Sequence, residues 1–203
     1  ICLPDSFSSV LMMRMAGVSR IVGYEGRGRG ALLHDRVAVP ASWGRRRMVA
    51  REQFVLGLMK AVGCQEDGTH LELFSTEEEE LRAVAALRNA GLGEAWDRPI
   101  FIMAPGASFG PSKCWPAANF SRVGDAAALQ GACVVVIGEA SETELGRSVC
   151  SAMTGPVTNL VGRLDLGSLK ALVRRSAGVV CNDAGARHLA VAFGVPCGVL
   201  MGP

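Results

Sequence analysis

Several things are scarce or missing in these 203 residues, and each shortage closes off a class of function. No charge sign dominates: 21 lysines and arginines face 19 aspartates and glutamates, so the footprint expected of a nucleic-acid binder is missing. Arg45-Arg46-Arg47 is a lone basic run and reads as a solvated face. No two cysteines are spaced CxxC; the seven present, Cys2, Cys64, Cys114, Cys133, Cys150, Cys181 and Cys197, are odd in number and scattered. That pattern predicts reduced thiols in a cytosolic protein, not a disulfide framework or a zinc site. Cys133, Cys181 and Cys197 fall in or beside apolar runs, where cysteine acts as a small hydrophobe, and no chemistry is assigned to them. No cluster with metal-ligand spacing is visible, so no metal is expected. No apolar stretch nears the roughly 20 residues that cross a bilayer, and the charged start of a signal peptide is missing. A soluble chain without a transmembrane segment is therefore expected.

What is present is a regular beat from Pro99 onward. Ile100–Met103 reads as a strand, and Ala117–Gln130 as a helix with Phe120, Val123 and Ala127 at helical spacing and Gly131 as its stop. Ala132–Ile137 is a continuous apolar run, the mark of a strand covered on both faces. Ser141-Glu142-Thr143-Glu144 is expected to box the start of a helix reaching about Met153. A strand over Thr158–Val161, a helix carrying Leu166, Leu169, Leu172 and Val173, a strand over Val179–Cys181, a short helix over Ala186–Phe193 and a strand over Val195–Met201 complete the series. Such alternation predicts parallel βαβ units with right-handed crossovers, whose ligands bind beyond the carboxyl ends of the strands.

The first hundred residues are less regular. Helices are expected over Ser6–Ala16 and Met48–Val62, the latter with Phe54, Val55, Leu58 and Met59 on its apolar face, and a strand over Ile21–Gly23. Ser75-Thr76 followed by Glu77–Glu80 marks another helix start, since acidic residues suit the positive end of the dipole, and the four glutamates need no function. The organisation predicted is a first lobe over residues 1–92, a linker over 93–99 and a second lobe over 100–203. Ile1-Cys2-Leu3-Pro4 resembles the tail of a buried strand and Val199–Pro203 stops just after one, so an internal fragment with both lobes truncated is expected.

Two loops carry the chemistry. Ala104–Pro116, APGASFGPSKCWP, leaves a strand and enters a helix, where unpaired backbone N–H groups and the helix dipole favour an anion. Gly106 and Gly110 admit close approach, Ser108 and Ser112 add hydroxyls, and Lys113 adds a charge, which together suit a phosphate. The pattern is not a Walker A loop, because Lys113 is followed by Cys114, and an ordinary glycine-rich turn stays open as the alternative. The second loop, Asn182–His188, follows the strand Val179–Cys181. Asp183 stands where an N-cap carboxylate would, with His188 a turn later, so a plain cap competes with a role in a shared cleft.

These loops, together with VIGEASE (136–142), NLVGRLDLGSL (159–169) and NDAGARHLAVAFGVPCGVLMGP (182–203), resemble glycosyltransferase family 9. Within it they are most like the ADP-heptose:lipopolysaccharide heptosyltransferases of the heptosyltransferase II kind, and LPDSFSSVLMMRMAGVSRIVGY with ALLHDRV extends the likeness to the first lobe. The resemblance implies an α/β fold of GT-B type, two Rossmann-like lobes with parallel sheets, the second holding the nucleotide sugar. It places Lys113 on the donor phosphates, Glu142 on the ribose hydroxyls, and Asp183, Gly185 and His188 along the diphosphate and sugar. A first-turn glutamate remains the competing reading of Glu142. Two positions depart from the family pattern: Ala184 replaces a hydroxyl residue but keeps its N–H, and Leu164 stands where a threonine is frequent. The family's general base is expected upstream of Ile1.

The function so implied is inverting transfer of heptose from ADP-heptose to the inner core of lipopolysaccharide, with no cofactor and no metal. Lys113, Asp183 and His188 are the candidate catalytic residues, and Gly106, Ser108, Gly110, Ser112, Glu142, Ala184 and Gly185 the candidate donor-binding set. Arg27 and Arg29 are candidate contacts to an anionic, lipid-linked acceptor at the membrane surface. A cytoplasmic location is expected, peripheral to the inner face of the inner membrane, and the fragment alone is expected to be inactive. Another sugar or acceptor on the same fold, or a non-catalytic nucleotide-binding piece, are the alternatives.

Overall fold

The computed structural model describes residues 1–44, 49–93, 98–107 and 114–201. They form two compact units, Ile1–His70 and Leu71–Pro203. Both are α/β with parallel strands, the kind of sheet that the GT-B expectation requires.

In the first unit, helix α1 (Phe7–Met15) starts at Ser6, whose hydroxyl accepts the Ser9 N–H at 3.2 Å. Strands β1 (Val22–Tyr24) and β2 (Asp35–Val37) pair in parallel, Val22 opposite Asp35. Sequence pattern did not reveal β2, a three-residue strand without alternation. Helix α2 (Arg51–Ala61) buries Phe54 and Leu58 against Tyr24, whose hydroxyl donates to the Phe54 carbonyl at 3.2 Å. Beneath the glycine-rich loop after β1 lies Arg29, wholly buried. Its Nε donates to the Tyr24 carbonyl at 2.8 Å, one Nη to the Pro4 carbonyl at 2.5 Å, and the other lies 2.6 Å from Asp5 Oδ1. A guanidinium with all its nitrogens so engaged holds the loop to the chain's first turn. The Arg29 side chain is wholly buried, where the sequence reading offers it to an acceptor. Arg27 keeps its exposure, with 67% of its side-chain surface accessible, and adopts a left-handed φ of 50° between two glycines.

The second unit is built on one parallel sheet of order β5-β4-β3-β6-β7, with β3 Ile100–Ala104, β4 Cys133–Val136, β5 Val157–Asn159, β6 Gly178–Asn182 and β7 Cys197–Leu200. Alternation along the strands sends Ile100, Ile102 and Val135 to one face and Met103, Val134 and Val136 to the other, and both faces are covered. Helices α3 (Glu77–Asn89), α6 (Leu166–Arg175) and α7 (Gly185–Ala192) cover the first face, through Leu87, Leu172 and Ala190. Helices α4 (Ala117–Leu129) and α5 (Thr143–Ala152) cover the second, through Phe120 and Val149. Gly124 on α4 permits the contact, since a Cβ there would lie 2.8 Å from Met103 Cε and Met153 Sδ. The chain runs outward from β3 through β4 to β5, then returns to place β6 on the other side of β3. That reversal is the switch point where open α/β sheets leave a crevice.

Residues 71–92 pack with the second unit, whereas the sequence reading assigns them to the first lobe. Ion pairs join α3 to α6: Lys170 Nζ donates to Glu79 at 2.9 Å, Arg174 and Arg175 contact Glu80 at 2.6 and 2.8 Å, and Arg82 Nε lies 3.1 Å from Asp165. So three of the four glutamates do more than favour the helix dipole, since Glu78 also pairs with Arg82 at 2.6 Å. Thr76 and Glu79 also close a capping box. Residues 94–97 of the expected linker lie outside the described residues, as do Arg45, Arg46 and Arg47.

These pairs set a pH response. The Lys170 hydrogen bond, followed by the Thr76 N–H, holds Glu79 below its ordinary 4.5, and the Arg175 hydrogen bond, followed by that of Ser75, does the same for Glu80. Depressed folded-state values contribute stability that is complete above 4.5 and is lost as pH falls through them. The melting temperature is expected to drop on acidification below that point, and Glu80→Gln to flatten the drop while lowering stability at neutral pH. An unaltered acid limb in melts of Glu80→Gln would remove α3–α6 pairing from the explanation.

Candidate functional site

A cleft of about 530 Å³ opens in the second unit, lined by loops that follow β3, β4, β5 and β6. Gly106 and Ala107 form one wall, and Ala184, Gly185 and His188, at the start of α7, form another. Ile137, Leu164, Leu166, Leu169 and Leu189 make an apolar side, with Leu166 left 70% exposed. An exposed leucine on a cleft wall is a surface for a flat apolar group.

Glu142 lines the cleft with its carboxylate against Gly106 and Gly138. Its Oε2 accepts the Glu139 N–H at 2.8 Å, and the Glu139 side chain returns the bond to the Glu142 N–H. This box opens the short 3₁₀ turn Ala140–Glu142 ahead of α5, so the box expected at Ser141–Glu144 is displaced by two residues. Glu142 thus closes a cap, and the same side chain lines the cleft. A Cβ on Gly106 would come within 1.7 Å of Glu142 Oε1, and one on Gly138 within 2.5 Å of Oε2. Gly106 has no left-handed φ, so what bars a side chain there is the carboxylate, not the backbone.

Asp183 is not the N-cap of α7. Ala184 holds that position with extended backbone and no side-chain hydrogen bond, while Asp183 Oδ1 pairs with Arg187 Nε at 3.0 Å. Nor is Asp183 among the residues that line the cleft, whereas His188, five positions on, is. Gly106, Glu142, Ala184, Gly185 and His188 are thus brought together. Ser108, Gly110, Ser112 and Lys113 lie outside the described residues.

Two contributors escaped the sequence reading. Leu166 and Leu169 read as the apolar stripe of a helix and Leu164 as a departure from the family pattern, and nothing in their spacing points to a cleft wall. Asn182 is fully buried at the end of β6 and hydrogen-bonds both flanks of the loop after β3. The thiols behave as read: burial first, then the Cys197 thiol whose Sγ is 3.8 Å away, pushes Cys181 up to about 12, so it stays protonated in the core. Among the described residues no three His, Cys, Asp or Glu side chains gather where a metal ion could sit, and no helix is long and apolar enough to cross a membrane.

A parallel sheet with a crevice over its switch point, walled by glycine-bearing loops at a helix start, defines an open α/β unit of the doubly wound class. The chain belongs to glycosyltransferase family 9: residues 1–203 match the family model described as "Glycosyltransferase family 9 (heptosyltransferase)". Lipooligosaccharide heptosyltransferase 2 of Haemophilus influenzae is 28% identical over 212 residues, covering 100% of this chain and 60% of its own. The solved structure of Escherichia coli ADP-heptose lps heptosyltransferase II aligns with a TM-score of 0.73 at 25% identity, over 97% of this chain and 60% of that one. A glycosyl transferase family 9 structure from Veillonella parvula gives 0.78 at 20% identity over 97% and 55%, a likeness of fold. The chain therefore spans about 60% of the length of the curated relative it matches.

Proposed function

We propose that the full-length protein is an inverting heptosyltransferase that moves heptose from ADP-heptose to the inner core of lipopolysaccharide. The observation that carries the reading is the cleft, where an apolar wall, a carboxylate and a helix start converge at a parallel switch point in a family 9 chain. The apolar side suits a nucleobase. Glu142 Oε1, above Gly106, is an acceptor for ribose hydroxyls, and the N–H groups at the start of α7 favour the diphosphate. ADP-heptose is named for one solved relative.

In the reaction, an acceptor hydroxyl attacks the anomeric carbon as the bond to the ADP oxygen breaks, and a base takes the hydroxyl proton. Charge grows on the diphosphate as it leaves. Lys113 and preorganised backbone N–H groups stabilise that charge, which asks for no cofactor. Asp183, oriented by Arg187, and His188 serve the sugar side. The acceptor is anionic and lipid-linked, so the protein works in the cytoplasm at the inner face of the inner membrane, with Arg27 as an exposed cation for the acceptor.

The test uses the full-length protein with a panel of nucleotide sugars and a heptose-deficient lipopolysaccharide acceptor. Transfer from ADP-heptose with release of ADP is expected. ADP binding without transfer from any donor would leave only a nucleotide-binding protein, and preference for another sugar would overturn the donor. A companion variant, Gly106→Ala, forces Glu142 aside and breaks its bond to Glu139, so ADP affinity should fall about tenfold in a folded protein, the scale of one lost hydrogen bond to the ligand. Unchanged affinity would take Glu142 out of the site.

A further inference from the structure

We propose that Asn182 is a positioning residue for the nucleotide cleft, holding both ends of the segment between β3 and α4 against the end of β6. The identity of the ligand rests on the function proposed above; the geometry stands by itself. Asn182 is completely buried. Its Nδ2 donates to the Pro105 carbonyl at 2.6 Å, and its Oδ1 accepts the Trp115 N–H at 3.1 Å. Those partners lie 77 and 67 positions away in the chain.

The strand register explains why a side chain does this work. β3 pairs with β6 as far as Ala104 opposite Cys181, while β6 continues with β7 to Asn182 opposite Leu200. Asn182 is thus one residue beyond its last β3 partner, facing a proline that has no N–H with which to extend a ladder. The side-chain amide takes over. A carbonyl on one side and an N–H on the other require a donor and an acceptor on one short group, which the amide supplies and a carboxylate or an alkyl group does not. Trp115 is steadied further by an edge contact to Phe120, ring centroids 5.5 Å apart at 76°.

The consequence reaches the cleft from two directions. Pro105 leads directly into Gly106 and Ala107 on one wall, and the Asn182 backbone leads through Asp183 into Ala184 and Gly185 on the other. One buried amide therefore sets the spacing between the two walls. Losing it leaves a carbonyl and an N–H unpaired at the hinge of the first wall, and frees that wall from the second.

Two substitutions in the full-length protein test this. Asn182→Leu keeps the volume and removes both hydrogen bonds; Asn182→Ser is smaller, admits water, and serves if the leucine variant does not fold. Val135→Ala, in the buried centre of β4 and off the cleft, is the control for a general loss of stability. ADP dissociation constants, donor and acceptor KM, and kcat are measured well below each melting midpoint. A purely structural asparagine would lower the active fraction, and so apparent kcat, without moving KM or ADP affinity. The expected result is a rise in ADP Kd and donor KM of about tenfold in either Asn182 variant, with acceptor KM unmoved and with Val135→Ala at wild-type Kd. ADP affinity within about twofold of wild type in a folded Asn182 variant would overturn the inference alone. Wild-type protein that binds no ADP would overturn the functional reading, and this inference with it.

Discussion

Lys113→Met in the full-length protein is expected to lower turnover about a hundredfold or more, because a preorganised donor to developing charge is worth on the order of 3 kcal/mol in activation free energy at comparable sites. Methionine keeps the apolar stem and deletes only the charge. If Lys113 meets the diphosphate, the contact strengthens as ADP departs, so the transition state suffers more than the ground state. The loss should therefore fall mainly on kcat, with a smaller decline in ADP affinity and an unchanged melting temperature. A solvated lysine in an ordinary glycine-rich turn would shift nothing by more than about 0.5 kcal/mol. Wild-type turnover and ADP binding in Lys113→Met would thus defeat the phosphate-loop reading of Ala104–Pro116.

Arg29→Met is expected to act on stability instead, lowering that of the Ile1–His70 unit by about 3–5 kcal/mol, the usual effect of removing one partner from a buried ion pair. The substitution takes the donor from the Tyr24 and Pro4 carbonyls and the nearer of two cations from Asp5, leaving Arg27 Nε at 3.7 Å, and Asp5 keeps only 15% of its side-chain surface exposed. Arg29→Lys should recover little, since an ammonium cannot span three partners in different directions as the planar fork does. Chemical unfolding of the full-length protein, followed in the first unit through Trp43 beside Tyr24, reads the effect. Normal stability combined with a raised acceptor KM would return Arg29 to the acceptor role suggested by its place in a glycine-rich loop.

How much of this was legible beforehand depends on the range of each interaction. The helix start at Ser75-Thr76 is readable because the acidic residues that mark it follow within one turn; the box that Glu79 closes on Thr76 and the cap at Ser6, each spanning three residues, are supplied by the structure. The box ahead of α5 was misplaced by two positions because Glu139 and Ser141 both precede acidic residues, and the choice between them was made by the space over Gly106 and Gly138 that admits the Glu142 carboxylate. Asp183 looked like a cap by position, but Arg187, on the same helix one turn on, took its carboxylate. Both competitors were visible in the sequence; their relative strength was not.

By itself, the sequence determined the elements of the second unit, the parallel character of its sheet and the family. Strand and helix periods, apolar runs such as Ala132–Ile137 and helix stops such as Gly131 all act within about a dozen residues, and an ordered set of motifs does not depend on distance. Tertiary structure alone decided that β6 returns beside β3, that α3 pairs with α6 through Glu79 and Glu80, that Arg29 turns inward to Asp5, and that Asn182 bridges Pro105 and Trp115. All of these join residues tens of positions apart, Arg29 and Pro4 being 25 apart. A buried amide or guanidinium is stable only where all its partners arrive together, so its role exists once the chain has closed around it and not before.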